Sequence, residues 1–192
     1  MFQQLRIATM MLAVLSILTG GVYPLLVTIV AQTFLPHQAN GSMLKDGDQL
    51  TGSELIGQSF AGPQYFWGRL SATANSPYNA GASGGSNWGP LHAERERAAS
   101  ERLRALQAAG GEAGPAPGDL TTASGSGLDP HISVAAAEYQ VARVARARGL
   151  REDVVRELLE ADTAPRQWGV LGEPRVNVLR LNLALDRLAR GK

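Results

Sequence analysis

The segment 119–133, DLTTASGSGLDPHIS, gathers the side chains best suited to chemistry: Ser124, Ser126, Asp129 and His131. Serine, histidine and aspartate together raise the possibility of a hydrolase triad. The nucleophile elbow G-x-S-x-G needs a glycine two residues to either side of the serine. Ser126 has Gly127 beside it and Ser124 two before it, so the pattern fails. Triad members also lie far apart in most chains and meet only in the fold. Phosphate chemistry fares no better. Gly125-Ser126-Gly127 starts like G-x-G-x-x-G, but Pro130 stands where the third glycine belongs, and there is no G-x-x-x-x-G-K-[ST]. His131 with Asp129 supplies too few ligands for a metal centre. A structural reading asks least of these residues. Gly125 and Gly127 permit left-handed backbone, Asp129-Pro130 makes a turn, and Ser133 can cap a following helix.

A second segment of special backbone lies upstream. Residues 71–90 are rich in Gly, Ser, Asn and aromatics, with Ser83, Gly84, Gly85, Ser86 and Asn87 at their centre. A loop this long in a compact domain is functional or disordered. Its aromatics favour order, because disordered segments are depleted in them. The loops 71–90 and 122–133 are therefore the candidate contact surfaces. Single residues carry bland readings: His92 is exposed beside a charged helix, Asn40-Gly41-Ser42 matches the glycosylation sequon by a short pattern only, and Trp168 is a packing aromatic.

Composition narrows the classes. Lys and Arg number 18 against 17 Asp and Glu, a balance that argues against a nucleic-acid partner. With no cysteine, disulfides, thiolate metal sites and a cysteine nucleophile are excluded. Three histidines leave little room for a histidine-rich metal centre.

The elements that position these segments begin with the membrane. No formally charged side chain lies between Arg6 and Lys45, and residues 7–34 read as an apolar run. About 20 apolar residues span the hydrocarbon core, so this stretch is long enough with excess. Gly20, Gly21 and Pro24 predict a kink in its middle. A cleaved signal peptide has a shorter apolar core and a better cleavage site, so the anchor reading is preferred. Arg6 and the amino terminus precede the helix, while Lys45 is outnumbered by Asp46, Asp48 and Glu54. The positive-inside rule then puts residues 1–6 in the cytoplasm and 35–192 outside. Thr9, Ala13, Ser16 and Gly20 fall on one helical stripe, a candidate contact face for another membrane helix.

The outer residues read as one mixed domain, giving an α+β protein with a single N-terminal transmembrane helix. The expected elements are a strand over 64–68, a helix over 91–109 with a charged, solvated face, and a break over 110–118. A helix over 133–148 follows, ending at Gly149, then one over 151–161 with Leu150, Val154 and Leu158 aligned. An irregular link over 165–174 leads to a strand over 175–179 and a terminal helix with Leu181, Leu185 and Leu188. Two function classes stand at this point: an accessory subunit of a membrane complex, and a membrane-anchored periplasmic binding or hydrolytic protein.

Six segments together carry a resemblance: GGVYPLLVT (20–28), GSELIGQSF (52–60), YFWGRLSAT (65–73), YNAGASGGSNWGP (78–90), DLTTASGSGLDPHIS (119–133) and RVNVLRLNLALD (175–186). In this order they resemble the C-subunit family of the Kdp potassium-transporting ATPase. Leu70 stands where that pattern has proline, and Trp88 where it has an aliphatic residue. The resemblance implies a non-catalytic, single-pass subunit of the bacterial inner membrane, with a periplasmic domain over the ion entrance. Its implied partners are a channel-like potassium-binding subunit and a P-type ATPase subunit. It implies no intrinsic cofactor and no catalytic residue, since the phosphorylated aspartate belongs to the ATPase subunit. The family is also described as raising that subunit's affinity for ATP. Two routes stand open: an indirect bias on the complex, or direct contact with ATP through 124–127.

Overall fold

The computed structural model of the chain describes residues 1–111 and 114–190. The charge-free stretch forms one apolar helix, Phe2–Phe34, of 33 residues, starting ahead of the expected residue 7. At 1.5 Å per residue it is about 50 Å long, against roughly 30 Å of hydrocarbon. It divides into α1 (Phe2–Ile17), a π-helical turn (Leu18–Val22) and α2 (Tyr23–Phe34). The π turn takes the place expected for a kink. Pro24 lacks an N–H, and its ring crowds the carbonyl four residues back, that of Gly20. A wider turn relieves this crowding without ending the helix. None of this helix is buried against the rest of the chain. A core helix of a soluble domain would be covered; this one is apolar and uncovered, as a membrane span requires.

A short helix, α3 (Pro36–Ala39), turns the chain into the folded domain that follows. The hairpin β1 (Met43–Asp46) and β2 (Gln49–Ser53) comes next, with Gly47 at φ +60° in its turn. His37 of α3 sits 3.3 Å from Glu54, just after β2.

The main body is built from α4 (Ala93–Ala108), α5 (Gly118–Thr121), β3 (His131–Ser133), α6 (Val134–Arg148) and α7 (Glu152–Asp162). It is completed by β4 (Thr163–Ala164), β5 (Arg175–Asn177) and α8 (Val178–Arg190). The three short strands pair antiparallel in the order β3-β5-β4, with Ile132 and Thr163 both opposite Val176. The core lies between this sheet and helices α6, α7 and α8. It contains Phe66, Leu106, Leu120, Val141, Leu159, Leu181 and Leu185. Burying a side chain such as Phe66 stabilises the fold by roughly 1.5–3 kcal/mol.

Local signals explain most boundaries. Ser133 caps α6 by accepting from the Ala136 N–H at 3.0 Å, and Gly149 ends it at φ +63°. In α7 the fully buried residues are Val155 and Leu159, one position beyond the expected Val154 and Leu158, which flank them half-buried. The terminal strand is shorter than expected, since α8 starts directly at Val178. Two residues of the expected break over 110–118, Glu112 and Ala113, lie outside the described residues.

Three expectations are corrected. Residues 64–68 form no strand. Residues 64 and 65 lie in a turn and a bend, and Phe66 and Trp67 pass between α8 and α6, where the amides of Asn182 and Gln140 take the place of strand partners. The face of α4 is not wholly solvated, because Arg102 turns inward to the Gly68 carbonyl at 2.7 Å. Trp168 is not a packing aromatic. It is 89% exposed at φ +52°, at the tip of a turn closed by the Gln167–Leu171 bridge. Residues 165–174 are exposed throughout, so the tip meets no core.

Candidate functional site

The two glycine-rich segments meet in space. The Ser126 carbonyl accepts from the Gly84 N–H at 2.9 Å and from the Ser83 hydroxyl at 3.1 Å. The contact is backbone against backbone, and glycine makes it possible. A Cβ on Gly85 would sit 2.8 Å from the Gly125 carbonyl oxygen. A Cβ on Gly127, which adopts φ +69°, would meet Thr73 Cγ2 at 2.6 Å and the Gly84 carbonyl at 2.8 Å. Such approaches exclude any side chain, so these glycines answer to close packing rather than to flexibility.

Polar groups fix the junction from below. Ser71 donates to the Gly127 carbonyl at 2.7 Å and accepts from the Tyr78 N–H at 2.8 Å. Ser124 is buried, and its N–H reaches the Leu70 carbonyl at 3.2 Å beside the Leu70–Ala123 bridge. Ser126 Oγ accepts from the Leu128 N–H at 3.1 Å. Ser83 and Asn87 are exposed, Asn87 at φ +52°, and Ser86 is half-buried.

Asp129 and His131 lie at the other end of the segment. Asp129 accepts from Arg69 Nη1 at 3.1 Å and from the His131 N–H at 3.0 Å, with His131 Nδ1 at 3.5 Å. Burial pushes the Asp129 carboxyl up, but the hydrogen bonds from His131 and Arg69 outweigh it and hold the group below the usual carboxylate range. This is an anchored turn, whose Pro130 carbonyl also accepts from the Val178 N–H at 3.0 Å. His131 faces Asp129, and the Ser126 hydroxyl serves the local turn, so the geometry assembles no nucleophile–base pair. No group of three or more His, Asp or Glu suited to a metal occurs among the described residues.

The membrane stripe is a different kind of feature. Thr9 donates its hydroxyl to the Leu5 carbonyl at 2.9 Å, which hides its polarity within the helix. Gly20 lies in the π turn, so its phase shifts relative to Thr9, Ala13 and Ser16.

Beneath the junction lies a layer that sequence reasoning missed. Asn182 of α8 clamps Phe66 by accepting from its N–H at 2.8 Å and donating to its carbonyl at 3.0 Å. Gln140 of α6 does the same to Trp67, at 2.8 and 3.2 Å. Arg102 and Arg143 each stack 4.8 Å from the centre of the Trp67 ring. The available signal was a polar residue at a buried helical position: Gln140 one turn from Val144, and Asn182 between Leu181 and Leu183.

Among known proteins, the sequence profile of the family described as K+-transporting ATPase, c chain, matches residues 5–187. The chain belongs to this KdpC family. It is 56% identical over 184 residues to the potassium-transporting ATPase KdpC subunit of Herpetosiphon aurantiacus, covering 95% of each chain. The KdpC subunit of Burkholderia mallei is 59% identical over 174 residues, 90% of each chain. That of Burkholderia orbicola is 55% identical over 183 residues, 95% of each. KdpC membership makes the chain an accessory subunit of a potassium-transporting ATPase. The matched span takes in the apolar helix from residue 5 and both glycine-rich loops.

Proposed function

We propose that the chain is a non-catalytic accessory subunit that holds a channel-like potassium-binding subunit and a P-type ATPase subunit together. The observation that carries this reading is the glycine-locked junction of 83–87 with 124–127, in a KdpC domain behind an uncovered apolar helix. The helix is the membrane anchor, with Thr9, Ala13 and Ser16 offered to a neighbouring span. The domain lies on the periplasmic side of the bacterial inner membrane, as the flanking charges support.

The effect on ATP affinity is indirect in this reading. A phosphate cradle needs free backbone N–H groups aimed at the ligand. In 124–127 the N–H groups of Ser124 and Gly127 are engaged within the protein, which leaves only those of Gly125 and Ser126, and no helix begins there to add its dipole. A subunit that binds one conformation of a complex better than another changes ligand affinity across the membrane by linkage.

Purification in mild detergent from potassium-limited cells tests the assembly role. Co-purification of a P-type ATPase and a large channel-like subunit, with potassium-stimulated ATP hydrolysis, is expected; recovery of the chain alone would refute it. Calorimetry of ATP with the full chain is expected to show no saturable binding, and a saturable isotherm would overturn the indirect route. Because the chain has no cysteine, a single introduced one reports orientation cleanly. Trp168→Cys in intact cells stripped of their outer membrane should react with an impermeant maleimide.

A further inference from the structure

Arg102 and Arg143 crowd one tryptophan with no carboxylate between them. Arg143 is 2% exposed and donates to the Pro63 carbonyl and Gln140 Oε1, both at 2.6 Å. Arg102 donates to the Gly68 carbonyl. Among the described residues neither makes an ion pair; the only carboxylate engaging this group is Asp129, on Arg69. The Nε atoms of Arg69, Arg102 and Arg143 are all buried without a partner. Burial, joined by the repulsion of Arg102, lowers the Arg143 guanidinium to about 10. Buried cations in proteins are normally paired with an anion, because an unpaired one is costly.

A cavity of about 220 Å3 opens beside this group. Arg69 and Arg102 line it, with Gln58, Ser59, Ser71 and Tyr78, and no acidic residue does. Its size is below that of ordinary cofactor pockets, so it suits a single small group rather than a nucleotide. The Ser71 and Tyr78 hydroxyls already donate to the Gly127 and Arg69 carbonyls, so the donors open to an occupant are the Arg102 guanidinium and the Ser59 hydroxyl, and a guanidinium fork is the chemistry of oxyanion recognition.

We propose that this cavity is a seat for one oxyanion, either a free phosphate-sized ion or a carboxylate reaching in from a partner subunit. The occupant neutralises the arginine–tryptophan layer that holds residues 66–69, directly below the glycine-locked junction. Its arrival would therefore stiffen the surface proposed to meet the partners.

The test is thermal unfolding of the full chain in detergent, titrated with inorganic phosphate against chloride at matched ionic strength. A rise in Tm of roughly 3–6 °C at ten times the dissociation constant, growing with the logarithm of phosphate concentration beyond it, is expected. Arg102→Gln should abolish the response. Since that variant also loses the Gly68 bond, Ser59→Asp supplies the independent check. It places a carboxylate at the exposed rim, and should raise Tm above that of Ser59→Asn while removing the phosphate response. The intact complex separates the two sources, and only this arm rests on the assembly reading. A response lost in the complex indicates a partner carboxylate; one retained indicates a free ion. A phosphate response equal to that of chloride, or one unchanged by both Arg102→Gln and Ser59→Asp, would overturn the proposal.

Discussion

Substituting Gly127 by alanine tests the claim that the two loops are locked by backbone contact. Gly127 and Gly149 adopt nearly the same left-handed conformation, φ +69° and +63°. They differ in their surroundings. A Cβ on Gly149 meets nothing within 4 Å, whereas one on Gly127 collides with Thr73 Cγ2 and the Gly84 carbonyl. Thr73 cannot rotate freely away, because its hydroxyl is held by the Ser76 carbonyl at 2.6 Å and by Ser71 at 3.0 Å. The left-handed penalty for alanine, about 1–2 kcal/mol, is common to both sites. Overpacking adds about 1–3 kcal/mol at Gly127 only. Gly149→Ala should then cost about 1–2 kcal/mol and Gly127→Ala about 2–5 kcal/mol. For a chain of this size a 2 kcal/mol difference corresponds to roughly 4–8 °C in Tm. Circular dichroism melts of the two full-length variants in detergent measure it. Gly127→Ala should also weaken co-purification of the complex at temperatures where the variant is still folded, while Gly149→Ala should not. Equal losses of stability at the two positions would refute the backbone lock.

Asn182→Ala leaves the N–H and C=O of Phe66 buried without partners, and should cost about 2–6 kcal/mol in urea unfolding. A loss under 1 kcal/mol would show that Asn182 does not clamp this segment. Asp129 has a depressed carboxyl, so its hydrogen bonds contribute fully above the unfolded value of about 3.9 and are lost as pH falls through the folded one. The stability gap between the parent chain and Asp129→Asn should therefore shrink between about pH 5 and pH 2, and a gap constant with pH would exclude this assignment. Trp168→Ala should change stability by under about 0.5 kcal/mol while removing the most red-shifted part of the tryptophan emission. A marked drop in Tm would mean that the exposed tip packs against something in the folded chain.

Much of the organisation was legible in the order of residues. The apolar span, the Pro24 irregularity, and the start and end of α6 all follow from short-range causes: absent charge, a missing N–H, a capping hydroxyl and a left-handed glycine. Each acts within a turn or two of its own position, so the linear pattern contains it. The two candidate loops were also visible as glycine-rich oddities. Their meeting was not, because Gly84 and Ser126 touch across some forty residues of intervening chain, and no local rule fixes that distance. Residues 64–68 were misread for the same reason. Their aromatics look like a strand, but whether an extended segment finds a sheet edge or the amides of Gln140 and Asn182 depends on which helices flank it. Arg102 shows the limit again: its charge run reads as a solvated face, and only the position of Trp67 and Gly68 turns it inward. The order of residues alone settles the apolar span, the limits of α6 and the family. Tertiary packing alone decided which backbone groups the buried amides satisfy, which glycines must lack a Cβ, and where unpaired positive charge collects.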